Sequence, residues 1–279
     1  MDVRQLISRR SVAVITGLVG MVSLAIGAHA ALNKRALDAA KAIGTEQSAD
    51  SENKQSRLAL VIGNGHYPDA SAPLNQPIND ARALTSTLRQ SGFDVDVVED
   101  ASKDDMQRAI GRLKSKIRPE SVVMLFFGGY GIQAGRESYM IPVDARIWKE
   151  GDVRREGISV ESVLETVKEK GAHAKLVVLD ASRRNPYERR FRSYSHGLAP
   201  ISAPDNALIL TSATPGKVAD DSKGQNSVLV TELLNNLAAG SSTLESVFKK
   251  TRIAISRASD GEQVPTVSSS LLDDIRFGG

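Results

Sequence analysis

Leu58-Ala59-Leu60-Val61-Ile62, closed by Gly63-Asn64-Gly65, is the stretch on which the fold class turns. The run is too short for a helix of ordinary length and too uniformly apolar for a strand with one wet face. It reads as a strand buried on both sides, and the Gly-Asn-Gly cluster ends it in a turn.

Working outward, the same alternation repeats. Pro77–Gln90 is predicted to be helical: Pro77 suits a first turn, Ala81, Leu84 and Leu88 share one face, and Gly92 stops it. Phe93–Glu99 reads as the next strand, with Val95 and Val97 facing one way. Ser102 is placed to cap a helix running to Lys116, with Met106, Ile110, Leu113 and Ile117 along its stripe. Val122–Phe127 is a continuous apolar strand ended by Gly128-Gly129. A helix over Ile158–Lys170, strands at Lys175–Asp180 and Ala207–Thr211, and helices at about Val228–Ala239 and Leu244–Ala258 complete the pattern. Buried strands alternating with amphipathic helices imply an α/β domain with a mainly parallel sheet covered on both faces. In such sheets ligand groups gather just beyond the carboxyl ends of the strands. The tips to inspect are therefore Gly63–Tyr67, Gly128–Gly131 and Asp180–Pro186.

With 279 residues, the chain is long enough for one substantial domain plus appendages. It has no cysteine, which excludes disulfides, thiolate metal sites and a cysteine nucleophile. The formal charge of +3 is small, and much of it sits at the extreme N-terminus and near residues 183–192. With only 4% aromatic residues, neither charge nor stacking surface argues for nucleic acid. Residues 1–30 read as an export signal: Arg4, Arg9 and Arg10, an apolar run from Val12 to Ala28, then Ala28-His29-Ala30 in the small-x-small form of a cleavage site. An uncleaved membrane anchor over residues 12–28 is the alternative. Either reading places the remainder outside the cytoplasm, periplasmic or secreted. Residues 31–56 are polar and mixed and read as a linker, which leaves residues 57–279 as the folded domain.

The first tip carries Asn64, His66 and Tyr67, and the helix after it opens with Asn79 and Asp80. The second is Phe126-Phe127-Gly128-Gly129-Tyr130-Gly131, whose glycines let backbone approach a ligand and expose Tyr130. The third, Leu179-Asp180-Ala181-Ser182-Arg183-Arg184-Asn185-Pro186, sets a carboxylate and a hydroxyl two positions apart.

With these tips in view, the sequence resembles the caspase-like peptidases of family C14, in their bacterial metacaspase or orthocaspase form. The matching stretches are Leu58-Ala59-Leu60-Val61-Ile62-Gly63-Asn64, Pro77-Ile78-Asn79-Asp80-Ala81, Tyr139-Met140-Ile141-Pro142-Val143-Asp144-Ala145, Leu179-Asp180-Ala181 and Gln263-Val264-Pro265, in family order over about residues 57–279. The resemblance implies a caspase-like (caspase-hemoglobinase) fold with a sheet of about six strands. Active relatives carry Gly-His-Gly where this chain has Gly129-Tyr130-Gly131, and Asp-Ala-Cys-Arg where it has Asp180-Ala181-Ser182-Arg183. Tyr130 and Ser182 thus stand in the places of the catalytic His and Cys. A serine hydroxyl needs a positioned base, and a tyrosine titrating near ~10 is a poor one at neutral pH. In relatives, the acids at the positions of Asp80 and Asp180 help bind a basic side chain, and the physical reason is charge-assisted bonding to a guanidinium. The competing reading is that Asp80 caps the helix beginning near it and Asp180 bonds turn amides. Relatives also have a small hydroxyl residue near Gly128, so this pocket is expected to lack one polar contact.

The expectation is an exported pseudopeptidase that binds or regulates a peptide or protein with exposed Arg or Lys, such as an active caspase-like relative. The alternative is a hydrolase using Ser182, with Tyr130 or His66 assisting and specificity for basic residues. A third reading is a scaffold that uses the segment Arg183, Arg184, Arg189, Arg190 and Arg192, with Tyr187, Phe191 and Tyr194, as its contact surface. That segment otherwise reads as a solvated loop, with an acidic partner or an anionic membrane surface as alternatives. His66, His173 and His196 remain after removal of the signal, and His66 is the best-placed substitute base. No cofactor is expected. Calcium is implied only by resemblance, and neither Asp220-Asp221 nor Asp273-Asp274 lies in a loop with convincing ligand spacing.

Overall fold

The computed structural model describes residues 55–68, 73–191, 197–219, 224–239 and 242–277. The expected signal or anchor, nearly all of the linker, Asp220-Asp221, Arg192, Tyr194 and His196 lie outside the described residues.

In chain order the elements are β1 (Arg57–Gly63), α1 (Gln76–Gln90), β2 (Asp94–Glu99), α2 (Lys103–Lys116), β3 (Val122–Gly128), β4 (Gly131–Ala134) and β5 (Glu137–Met140). There follow α3 (Glu150–Glu156), β6 (Ile158–Ser159), α4 (Val160–Glu169), β7 (Ala174–Asp180), β8 (Ala207–Thr211), α5 (Val228–Ala238), α6 (Leu244–Ala258) and β9 (Thr266–Ser269). The main sheet has six strands in the order β2-β1-β3-β7-β8-β9, parallel except for β9, which runs antiparallel on β8.

Strand periodicity distributes the core. Successive side chains of a strand point to opposite faces. On β1, Ala59 and Val61 pack with Leu84 of α1, Val230 of α5 and Phe248 of α6. Leu60 and Ile62 pack the other way, with Met106 of α2 and Leu164 of α4. A third cluster, including Tyr67, Tyr130, Ile141, Ile147 and Tyr187, gathers beyond the strand tips.

Local signals set the ends of the elements. Ser102 accepts a hydrogen bond from the Asp105 amide while Asp105 reaches back to the Ser102 amide, a capping box that starts α2. Gly92 takes φ +81° in the turn after α1, a conformation in which a side chain would be strained.

One expectation is corrected. The helix read as Ile158–Lys170 begins at Val160, because Ile158 and Ser159 instead pair with Met140 and Tyr139 as β6. The hairpin β4–β5, helix α3 and strand β9 carry too little apolar periodicity to be read from the sequence, yet β4–β5–β6 forms a second, antiparallel sheet.

Candidate active site

The three tips converge because parallel strands carry their carboxyl ends to one edge of the sheet. They are stitched together through backbone. The Asn64 amide donates to Gly128 O at 2.8 Å, the Gly129 amide to Asp180 O at 3.2 Å, and the Gly131 amide to Ala181 O at 2.9 Å. A Cβ on Gly129 would lie 2.6 Å from the Tyr67 hydroxyl, so only glycine lets the second tip settle against the first.

Tyr130 is not the exposed group the glycines suggested; it is buried, with 8% of its surface accessible. Its ring meets Tyr67 edge-on at 4.7 Å between centroids, and its amide donates to the Tyr67 hydroxyl at 3.1 Å. That hydroxyl in turn donates to Ile141 O at 2.9 Å, and burial drives its pKa far upward. The second tip is therefore filled by a packed aromatic pair.

Ser182 is also buried. Its Oγ has no hydrogen-bond partner among the described residues. Its amide donates to Ser212 Oγ at 3.2 Å, and its carbonyl accepts from the Ala219 amide at 2.6 Å. Gln263, from the Gln-Val-Pro stretch, donates to Ser212 O at 2.8 Å and so braces Ser212 from the far end of the chain. Acyl transfer needs donors aimed at the developing oxyanion. The amides of Gly131 and Ser182, at the second and third tips, are both committed to internal acceptors.

His66 does not take over as base. Its ring is exposed and bonds Asp100, Nδ1 to Oδ2 at 2.5 Å. Asp100 follows β2, on the side of β1 away from β3 and β7. With strands spaced ~4.8 Å apart, the bond directs His66 away from Ser182. Asp100 also accepts from the Gly65 and His66 amides, and these bonds lower its pKa against the opposing effect of burial. His173 lies near Glu120 and Asp273, and the chain enters β7 just beyond it, at the opposite edge of the sheet.

Asp80 and Asp180 are both brought to the site and both buried, at 0% and 2% accessible. Asp80 sits in the second turn of α1 and does not cap that helix. Its Oδ1 accepts from Asn226 Nδ2 at 2.8 Å and from the Ser227 amide at 3.0 Å, which ties α1 to the entry of α5. Its Oδ2 has no hydrogen-bond partner among the described residues. Burial, and secondarily the charge of Asp180, push its pKa up to about 7 against the pull of those hydrogen bonds. Asp180 Oδ2 likewise makes no hydrogen bond and faces the buried guanidinium of Arg183 at 3.5 Å. The expected bond from Asp180 to turn amides is absent at this oxygen. Sequence reasoning missed Arg183, Ser212, Asn226 and the Tyr67 hydroxyl. Arg183 belongs both to the stretch Asp180-Ala181-Ser182-Arg183 and to a run of arginines that reads as exposed, and residue type alone does not mark it as buried.

The fold and the site together define a caspase-type domain. The family profile described as the caspase domain, peptidase C14, matches residues 56–276, and the chain belongs to that family. Among curated proteins it is similar to the human mucosa-associated lymphoid tissue lymphoma translocation protein 1, at 30% identity over 145 residues, covering 51% of this chain and 17% of that protein. The mouse homolog is 30% identical over 134 residues, covering 47% and 16%. The match thus spans about a sixth of the length of these relatives.

Proposed function

We propose that this chain is an exported caspase-domain protein that binds a polypeptide through an arginine or lysine side chain and does not cleave it. One observation carries the reading: two buried carboxylates, Asp80 and Asp180, each keep one oxygen without a hydrogen bond beside a serine whose hydroxyl no base among the described residues engages. A buried acceptor left unmade costs ~1–3 kcal/mol, more when charged, so the pair gains from an added cationic donor. Arg183 meets part of that demand from within, and a ligand side chain would join or displace it. The consumed amides of Gly131 and Ser182 support the absence of hydrolysis. Export rests on the N-terminal residues alone, and an active caspase-like relative is the partner to try first.

Arginine peptides and their citrulline counterparts, which keep the shape and drop the charge, are titrated against the protein. The arginine form should bind at least ~10-fold tighter, and Asp180→Ala should abolish the difference while leaving the fold intact. Equal binding of the two peptides sinks the reading. In parallel, peptide mixtures are incubated between about pH 5 and 9, the range over which a histidine or serine-directed base would act. Cleavage after Arg or Lys that disappears in Ser182→Ala would make the protein a serine-type hydrolase instead.

A further inference from the structure

Trp148 is the only tryptophan of the chain, and it is 68% exposed. A single exposed aromatic needs no explanation by itself, but this one does not stand alone. It is also held firmly in place. Its neighbour Ile147 is fully buried, and the amides of Trp148 and Lys149 both donate to Asp152 Oδ2, at 3.0 and 3.2 Å. Arg190, from the loop that follows Ser182, donates to Ile147 O at 2.7 Å. Its guanidinium lies 4.7 Å above the indole and 5.4 Å from the ring of the buried Tyr187. Two segments distant in sequence are therefore locked into one stack of Trp, Arg and Tyr, the three residue types that dominate binding hot spots. Arg146 and Lys149 bracket Trp148, and Arg189 adjoins Arg190; all three are exposed and make no hydrogen bond or ion pair through their side chains within the described residues.

We propose that the Trp148–Arg190 stack, ringed by Arg146, Lys149 and Arg189, is a docking surface for an acidic protein segment that carries an apolar side chain. The inference is independent of the Asp80–Asp180 pair. The rigid stack offers apolar area at little entropic cost, and the surrounding cations match carboxylates. A protein partner fits better than an anionic membrane. The indole face carries a guanidinium, which would have to leave water with it on entering acyl chains. Asp144 and Glu150 also stand in the same stretch and would oppose a uniformly negative surface. A discrete peptide can place its acids around them.

Because Trp148 is the sole tryptophan, its emission reports this surface alone. The full-length protein is titrated with a tryptophan-free peptide of glutamate and leucine. A saturable change in emission is expected, weakening as salt rises. The double charge reversal Lys149→Glu with Arg189→Glu should weaken binding ~30-fold or more. So should Trp148→Ala, read by the anisotropy of a labelled copy of the peptide. Circular dichroism checks that each variant keeps its fold. A silent titration overturns the proposal, as does an affinity indifferent to the charge reversal. A response to phosphatidylglycerol vesicles with none to the peptide would assign the surface to membrane and also overturn it.

Discussion

Tyr130 is a packing residue, because its phenol lies edge-on against Tyr67 in a cluster that also holds Ile141 and Tyr187. The position is part of a core. Asp80 shows the opposite tendency, a charge retained where burial opposes it. Its pKa is raised to about 7 from an unfolded value near ~3.9, so between those values the folded chain holds more protons than the unfolded one. Its contribution therefore favours folding at the acid end and is lost as pH climbs toward 7, with a slope of at most ~1.4 kcal/mol per pH unit from one group. Asp80→Asn, which keeps an acceptor for Asn226 and the Ser227 amide, should flatten this part of the stability profile. Urea unfolding at a series of pH values from about 4 to 8 checks it; an unchanged slope would mean that Asp80 ionises normally.

At the scale of elements, the site depends on how closely α1 meets the end of β1. A Cβ on Gly63 would lie 2.4 Å from Pro77 O and 2.8 Å from Ala81 Cβ, and backbone cannot yield as a flexible side chain does. Gly63→Ala should cost at least ~2 kcal/mol of stability and loosen the tip that carries Asn64, measured by denaturant melts. A neutral substitution would show that α1 can shift freely on the sheet. The main elements of this layer were legible in the sequence. Leu58–Ile62, Val122–Phe127 and Lys175–Asp180 are buried on both faces, so hydrophobic continuity marks them directly. The short strands were not legible. Ile158 and Ser159 continue the pattern of the helix after them and become β6 only because β5 offers an antiparallel edge. Strand β9, Thr266–Ser269, has no buried residue and takes its conformation from pairing with β8.

At the scale of the whole molecule, all six strands of the main sheet and the helices on both faces lie in one compact unit, Gln55–Gly279. A protein starting at Gln55 should fold alone and melt within ~3 °C of the full chain, a shift of well under 1 kcal/mol for this size. A larger drop in a thermal scan would mean that the N-terminal residues contribute to the core.

The α/β alternation and the caspase family were legible from the residues alone, and the resemblance implies that Tyr130 and Ser182 stand where active relatives carry His and Cys. These are properties of residue identity and of short-range apolar pattern, which need no knowledge of distant partners. What those residues touch came only from the folded structure. Arg183 and Arg184 adjoin each other, yet one is buried against Asp180 and the other is exposed. Asp80 opens no helix of its own and instead holds the entry to another, 147 residues further along the chain. Trp148 and Arg190 carry no shared motif and meet only because the loop after Ser182 folds back over the segment before α3. Such pairings depend on distances through space, which a pattern of neighbours along the chain does not encode.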